Sequence, residues 1–590
     1  MNKIWRVKTA APSEFMARLT GQHPLVAQLL YNRQLQSQSD IDSFFNPDYS
    51  KTHDPFLFKD MARAVERIKK AIVNKEKITI HGDYDADGVT SSAVLYKTFK
   101  ALGVDVDVFI PHREWDGYGL NVENVQNFVD QGCKLLITVD CGITNVKEID
   151  LLNKNGVDVI ITDHHEPVFV KTSTGTPLEV LPNAFAILNA KTKDSGYPFR
   201  DLVGVGVAFK LACALLSKLD NQIPPTADSP MAKTRQPDNL DAFLKWLLDL
   251  VAIGTVADVA SLLGENRTLV KWGLIVLQKT RNLGLQKLLN IIGTKKIDTH
   301  TIGYQIAPRL NAAGRMKHAE AAFQLLIAET EEDAERLALD LHKNNQDRQV
   351  VMETAIKQAK AQISFEDGHK IIFAFHEEWE PGIIGLIAGK LCDEYYRPAV
   401  AMTKSGKSIV GSGRSIEGFN ITAGLNAVGD LLERFGGHSQ ACGFTLLNEG
   451  VRENFQALLA EQASTALLNV ELAPIVDVDA EIELAQVSWP LIEQLEKFEP
   501  FGEGNEQPLF LIKNLTLVSF DVVGSSGQHL RLLTKQNSPS VQRMIWFGSS
   551  REFLPLLKVG YNVEAVCEIG SREWNGNRDL EFKVVDLKII

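Results

Sequence analysis

From Lys77 to Thr162 short apolar runs alternate with segments of helical spacing. The runs are Lys77–His81, Asp105–Ile110, Lys134–Val139 and Asp158–Thr162; the helical segments are Ser91–Leu102, Asn124–Gln131 and Val146–Asn155. Apolar strands separated by helical crossovers specify a parallel, doubly wound sheet. Ligands of such sheets gather beyond the carboxyl ends of the strands. Three strand ends here carry polar side chains. In Ile78-Thr-Ile-His-Gly-Asp-Tyr-Asp-Ala-Asp-Gly-Val-Thr90, His81, Asp83, Asp85 and Asp87 fall on alternate positions, which point the same way in extended chain. Gly88 and the small Ser91-Ser92-Ala93 suit a tight turn into a helix. Leu135-Leu-Ile-Thr-Val ends on Asp140, and Val159-Ile-Ile-Thr ends on Asp163-His164-His165.

Like charges gathered in this way are costly unless a cation sits among them. A solvated acidic turn or a calcium loop is the competing reading, but an EF-hand also needs a later bidentate Glu and a helix on both sides. A lone Asp at a strand end is more often a helix cap than a ligand. Three parallel strands ending in Asp or His at one rim favour a divalent-metal site. Oxygen and imidazole donors without a thiolate suit Mn²⁺ or Mg²⁺ better than a structural zinc.

A chain of 590 residues is too long for one core, so several domains are expected. Its six cysteines form no CxxC pair, which argues for a reducing compartment and against a zinc ribbon or disulfide framework. The opening MNKIWRVKTAAPSEF lacks the apolar core of a signal peptide, and no apolar run is long enough to span a bilayer. A cytoplasmic protein without membrane contact is expected. With a net charge of -12, contact with a polyanion must use a local basic patch.

Asp163-His164-His165, with His81-x3-Asp85-x-Asp87 and Asp140, resembles the DHH phosphoesterase superfamily. Ala252-Ile-Gly-Thr-Val-Ala-Asp258 is similar to its fourth motif, and Ala307-Pro-Arg-Leu-Asn-Ala-Ala-Gly-Arg315 resembles a stretch of the RecJ exonuclease branch. Gly411-Ser-Gly-Arg-Ser415 and Phe435-Gly-Gly-His-Ser-Gln-Ala-Cys-Gly-Phe444 look like the associated DHHA1 domain. Phe498-Glu-Pro-Phe-Gly-Glu-Gly-Asn505 is also similar to that branch.

The fold expected is α/β: a doubly wound parallel-sheet DHH lobe, a long helix, a smaller α/β DHHA1 lobe and a C-terminal OB-like β-barrel. The expected division is a helical segment over 1–45, DHH over 46–316, the connecting helix over 317–363, DHHA1 over 364–466 and the OB fold over 467–590. Residues 317–363 carry Ala, Leu, Glu and Lys at helical spacing. The strand-like runs Leu515–Val523, Gln542–Phe547 and Tyr561–Ile569 suit a small barrel. Asn221–Asn239, rich in Pro, Asn and Asp, reads as an insertion or loop.

The resemblance implies a single-stranded-DNA-specific 5′→3′ exonuclease of recombination and repair that releases 5′-mononucleotides with two divalent ions, Mn²⁺ or Mg²⁺. By the same resemblance His81, Asp85 and Asp140 hold one ion, and Asp87, Asp140, His164 and Asp258 the other. His165 contacts the phosphate or assists proton transfer, and Asp83 is a ligand, a base or a cap. Asp163 is read as the residue that orients His164.

The resemblance further implies that Arg309, Asn311 and Arg315, Ser412 and Arg414 in a Gly-rich turn, and Arg113 bind the 5′-phosphate and strand. Arg forks match phosphate oxygens bidentately. Gly436-Gly437-His438 allows close approach of the strand, and Tyr118 and Trp574 are candidate base-stacking rings. Singly, each Arg reads as a surface ion pair and each aromatic as packing. Glu380 stands where the family usually has His.

Two rival readings are a phosphodiesterase of short oligonucleotides or cyclic dinucleotides, and a non-catalytic replication or repair scaffold. Single-strand-binding protein and a RecQ-type helicase are partners implied only by the family's repair role, and a monomer is implied likewise.

Overall fold

The computed structural model describes residues 3–19, 21–113, 115–171, 177–219, 237–316, 319–364, 370–574 and 576–590. They form two compact units, one of residues 52–260 and 272–472, the other of 1–51, 261–271 and 473–590. Most of the expected insertion, up to residue 236, lies outside the described residues, as do the side chains of Arg315 and Trp574.

In the larger unit the alternating runs become strands β1 (Ile78–His81), β2 (Asp107–Phe109), β3 (Leu135–Val139), β4 (Asp158–Thr162) and β5 (Ala186–Leu188). They form one parallel sheet in the order β2-β1-β3-β4-β5. All residues of β1 and β3 are buried, as continuous apolar runs in a two-sided sheet require. Helix α1 (Ala86–Ala101) follows β1. It packs against α2 (Gly204–Leu219) and α3 (Leu248–Ala257), two apolar helices. Asp140 and Asp163 directly follow β3 and β4, and Asp258 is the C-cap residue of α3. Helix α4 (Ala307–Met316) continues a π-helical turn at Ile302–Ile306.

The expected single helix over 317–363 is instead two: α5 (Glu320–Ile327) and α6 (Glu331–Lys360). Thr330 ends the continuity. It adopts extended backbone, its hydroxyl accepts from Asp333 N at 3.2 Å and donates to Asp333 Oδ2 at 2.8 Å. Helical spacing on either side masks this Thr-x-x-Asp start signal.

Beyond α6 a second sheet comprises β6 (Ile372–Phe375), β7 (Ala399–Ser405), β8 (Ser408–Arg414), β9 (Leu432–His438) and β10 (Ala441–Leu446), ordered β9-β10-β8-β7-β6. Helix α7 (Pro381–Tyr395) packs on β7 and β8. Glu380 is the N-cap residue of α7 and is exposed.

The smaller unit is built on a barrel. Strand Leu509–Val523 pairs with His529–Lys535 on one side and Asn562–Trp574 on the other. Gln542–Trp546 and Asn577–Ile589 close the circuit. The N-terminal stretch opens with a strand rather than a helix: Ile4–Val7 pairs in parallel with Ile475–Val478. A partner so distant in sequence leaves no local periodicity to read. Phe15, Leu29, Leu30 and Phe44 from the first residues share a core with Phe498, Phe510 and Leu532. Among the described residues no helix is long and apolar enough to cross a membrane.

Candidate metal and phosphate site

Backbone amides position Asp85 and Asp87 at the sheet rim. Asp85 is the N-cap of α1: its Oδ1 accepts from Asp87 N (2.9 Å) and Gly88 N (3.1 Å). Asp87 faces the first turn of α2, and its two oxygens accept from Gly204 N and Val205 N, each at 2.8 Å. Those amides hold a carboxylate at a helix N-terminus, where the dipole favours negative charge. Asp140 sits at φ 60° in the turn after β3. A Cβ at Gly204 would lie 2.7 Å from Asp140 Oδ1, and one at Gly254 would lie 2.8 Å from Asp87 Oδ1. Both glycines keep volume free for the acids.

Three sets of donor atoms lie within 4.8 Å of one another: Asp83, Asp85 and Asp140; Asp87, His164 and Asp258; and Asp140, His164 and His165. Asp140 is common to two sets on either side of it. His164 Nε2 is 3.1 Å from Asp140 Oδ1, 3.7 Å from Asp258 Oδ2 and 3.9 Å from Asp87 Oδ2. His81, expected beside Asp85, joins none of these sets. Its Nδ1 lies 3.6 Å from the buried Cys141 thiol. Asp83, left open between three roles, joins the first set.

The electrostatics are those of a site built around positive charge. Burial, then mutual repulsion, drives the carboxyls of Asp83, Asp87 and Asp140 well above the usual range, and Asp258 to about 7. Burial lowers His81 to about 4, and burial with the neighbouring His165 lowers His164 to about 3, so both imidazoles are neutral. His81 Nε2, Asp83 Oδ1, Asp140 Oδ1 and His164 Nε2 are buried polar atoms without a hydrogen-bond partner. Three of these orphaned donors, on Asp83, Asp140 and His164, belong to the gathered sets and fit divalent cations, and the all-oxygen-and-imidazole set fits hard ions such as Mn²⁺ or Mg²⁺.

Asp163 has another task from the one expected. Its Oδ1 accepts from His164 N (2.7 Å) and His165 N (3.0 Å) and lies 2.8 Å from His165 Nδ1; its Oδ2 accepts from Ile143 N (2.9 Å). It therefore orients the His165 ring and not that of His164. Burial alone would lower His165, but the Asp163 bond and the surrounding carboxylates outweigh it and raise the ring to about 9. Tyr118 Oη stands 2.9 Å from His165 Nδ1 and donates to Asp140 O at 3.3 Å. That tie was not legible in the sequence.

The basic residues separate. Arg113 stacks over the Tyr84 ring at 5.0 Å, and its charge lies close enough to Arg414 to lower the latter's guanidinium further, after burial. Arg414 Nη1 donates to Ser412 Oγ (3.3 Å) and Gly413 O (2.9 Å), and a Cβ at Gly385 would meet Ser412 Oγ at 3.2 Å and Arg414 Nη2 at 3.3 Å. Two cations and a hydroxyl thus gather beside Gly385, which has no side chain to crowd them.

Arg309 is engaged internally, with Gln305 O at 2.6 Å and His342 Nδ1 at 3.2 Å, and Asn311 Oδ1 accepts from Ala86 N at 2.7 Å, a second cap on α1. Gly437 has φ 142° and no room for a Cβ beside Ala441 O, and His438 is exposed.

Family profiles match the chain in three places: the DHH family N-terminal domain over residues 77–255, the DHHA1 domain over 368–465 and the RecJ OB domain over 478–586. The single-stranded-DNA-specific exonuclease RecJ of Bacillus subtilis is 36% identical over 572 residues, covering 96% of this chain and 68% of that protein. The chain belongs to the RecJ family. The crystal structure of RecJ in complex with Mn²⁺ from Thermus thermophilus superposes with a TM-score of 0.80 at 29% identity, covering 99% of this chain and 79% of that one. The Mg²⁺ complex from the same organism gives 0.75 at 27% identity, covering 99% and 78%. Membership of the RecJ family accounts for the α/β DHH region, the second lobe and the OB-type barrel together.

Proposed function

We propose that this chain is a metal-dependent exonuclease that degrades single-stranded DNA from its 5′ end to 5′-mononucleotides. The observation that carries the reading is the pocket of mutually repelling acids with three orphaned buried donors, on Asp83, Asp140 and His164, at the carboxyl edge of the parallel sheet. We assign His81, Asp83, Asp85 and Asp140 to one divalent ion and Asp87, Asp140, His164 and Asp258 to a second. Such a pair supplies a water nucleophile near neutral pH and compensates charge on the phosphoryl oxygens.

The protein's own groups do the rest. The His165 imidazolium, held at Nδ1 by Asp163, leaves Nε2 to donate to a phosphoryl oxygen. Arg113, Ser412 and Arg414 bind the terminal 5′-phosphate, which sets polarity. Asn311 acts through α1, as a positioning residue. Tyr118 positions His165 through its hydroxyl and offers its half-exposed ring to a base, and Gly437 and His438 let the strand approach closely. The DHH and DHHA1 intervals carry the chemistry and the barrel grips the strand. The family's repair role is the sole support for contacts with single-strand-binding protein and a RecQ-type helicase, for a monomer and for the cytoplasm.

The decisive assay is Mn²⁺-dependent release of mononucleotides from a 5′-phosphorylated single strand, beside its duplex and a dinucleotide, with wild type and Asp140→Ala. Single-strand degradation from the 5′ end, lost in the variant, is expected. Cleavage of the dinucleotide alone would assign the chain to short substrates, and no cleavage would leave a scaffold.

A further inference from the structure

Val259 is the one β-branched residue with a positive φ, 57°, among the described residues. For such a side chain the left-handed region is a genuine outlier. The local hydrogen bonds show how the backbone is held there. Ala260 N donates to Thr255 O at 3.3 Å and Val259 N to Val256 O at 3.2 Å. These are the two bonds of a Schellman motif, and they close α3 beyond its C-cap residue Asp258. Val259 therefore fills the position that glycine usually takes. Glycine would adopt it at no steric cost.

Burial does not offset the strain. Val259 is 68% exposed, so its isopropyl group adds little to the core. Its place in the chain is the second observation. It directly follows Asp258, and the acids around His164 are not equally covered: the side chains of Asp87 and Asp140 are 1% and 3% exposed, that of Asp258 30%. The pocket is thus open to solvent on the side of Asp258, where a substrate can enter. Strained residues gather at active sites and ligand clamps, and this one stands beside the open acid.

We propose that Val259 is a specificity-determining residue that packs against the sugar beside the scissile phosphate and favours deoxyribose over ribose. On both sides of a phosphodiester the nearest apolar surface is sugar carbon, so an aliphatic group next to a phosphate-binding acid meets sugar. Bases are gripped by aromatic faces instead. An isopropyl wall offers a 2′-hydroxyl no hydrogen-bond partner, and desolvating that hydroxyl is unfavourable. The contact with substrate is what retains valine where the free protein would be better served by glycine. The inference rests on the exonuclease reading above.

The test compares Mn²⁺-dependent cleavage of a 5′-phosphorylated oligodeoxynucleotide with that of the same strand carrying a single 2′-hydroxyl. The hydroxyl is placed in turn on each sugar flanking the first scissile bond. Wild type should prefer the all-deoxy strand roughly 10–100-fold at one of the two positions, the range in which an apolar contact rejects an added hydroxyl. Val259→Gly removes the wall and the strain together. It should keep or raise the melting temperature in EDTA, while the deoxy preference falls roughly tenfold. Val259→Thr keeps the branched shape and supplies a hydroxyl partner, so it should cleave the 2′-hydroxyl strand faster than wild type does. Wild-type preference in both variants would overturn the proposal, as would a wild type indifferent to the hydroxyl at both positions. Equal losses on all strands with a raised Mn²⁺ requirement would also overturn it, because Val259 would then act through Asp258. Wild type that cleaves no strand at all would overturn the exonuclease reading instead.

Discussion

Asp163 and His165 stand two residues apart and face each other across one short contact, Oδ1 to Nδ1 at 2.8 Å, that fixes both charges. Burial would push Asp163 up, yet the His165 bond and the two imidazoles bring it down to about 2. The same contact carries His165 to about 9. The pair keeps a cation beside the acid pocket, where the proposed function has it donate to a phosphoryl oxygen.

Asp163→Asn should lower kcat/KM roughly 10–100-fold, the usual cost of removing a partner that orients a ring at a metal site. The pH profile separates charge from geometry. In wild type the alkaline limb follows loss of the His165 proton. Removing the carboxylate moves that limb downwards, towards the ordinary imidazole range near 6.5. A variant with reduced activity but an unmoved limb would assign the pair a purely structural role.

The pair also gives a stability signature in metal-free protein. His165 is raised in the folded state, so its contribution is complete below about pH 6.5 and disappears as pH rises through about 9. Asp163 is lowered, so its contribution is present above about pH 3.9 and disappears as pH falls through about 2. The His165 side chain is 42% exposed, and solvent screening holds its share to about 1 kcal/mol. Wild type minus Asp163→Asn, by denaturant unfolding in EDTA, should therefore shrink from pH 6 to pH 9. A difference that grows over that interval would contradict the assignment.

Metal should act most strongly where the acids suffer most. Asp83, Asp87, Asp140 and Asp258 hold protons in the folded protein that they release on unfolding, so stability without metal falls as pH rises. Cations replace those protons. The rise in melting temperature produced by Mn²⁺ should be larger at pH 8 than at pH 6, and the apparent Kd lower. Equal shifts at the two values would mean that Mn²⁺ binds elsewhere.

Much of this site was legible in the chain because its signals are local. Alternation of apolar runs gave the parallel sheet, and the strand ends gave the acids that the fold gathers. The OB-type barrel announced itself through short strand-like runs and a family resemblance. What escaped were relationships between distant segments. Nothing near Asp87 tells that the amides of Gly204 and Val205 receive it, and nothing near Asn311 tells that it caps α1. Ile4–Val7 reads as part of a helical segment until its partner strand is known. The Asp163–His165 contact was within reach: a side chain at the strand end bonding two residues on is a common Asx habit.

Arg267 illustrates a distant tie that stabilises rather than catalyses. Its guanidinium is buried in the smaller unit, stacked 3.7 Å over Phe44, and donates to the carbonyls of Phe44 (2.8 Å), Glu499 (3.0 Å) and Pro500 (3.3 Å). Burial, then the neighbouring Arg33, lowers it to about 9. Arg267→Met keeps the stem but removes the donor to these carbonyls and to that of Lys497 (3.4 Å), at roughly 2–4 kcal/mol of unfolding free energy. Denaturant titration checks this, and a loss within experimental scatter would show that water replaces the guanidinium.

Gly204 offers the sharpest test of the metal site, because its variant adds one methyl and no charge. The Cβ of Gly204→Ala would sit 2.7 Å from both Cβ and Oδ1 of Asp140. Ala suits a helix better than Gly, so local propensity favours the variant. The clash instead falls on the carboxylate common to two of the donor sets. Asp140 has to shift, its Cβ and backbone included, and a misplacement near 1 Å is enough to cost roughly a hundredfold in rate. Gly204→Ala should therefore keep its circular dichroism spectrum and its affinity for 5′-phosphorylated single strands in EDTA. Mn²⁺-dependent turnover should fall by that factor, and the Mn²⁺ needed for half-maximal rate should rise. Unchanged turnover would mean that Asp140 tolerates the shift and that the site is looser than its orphaned donors imply.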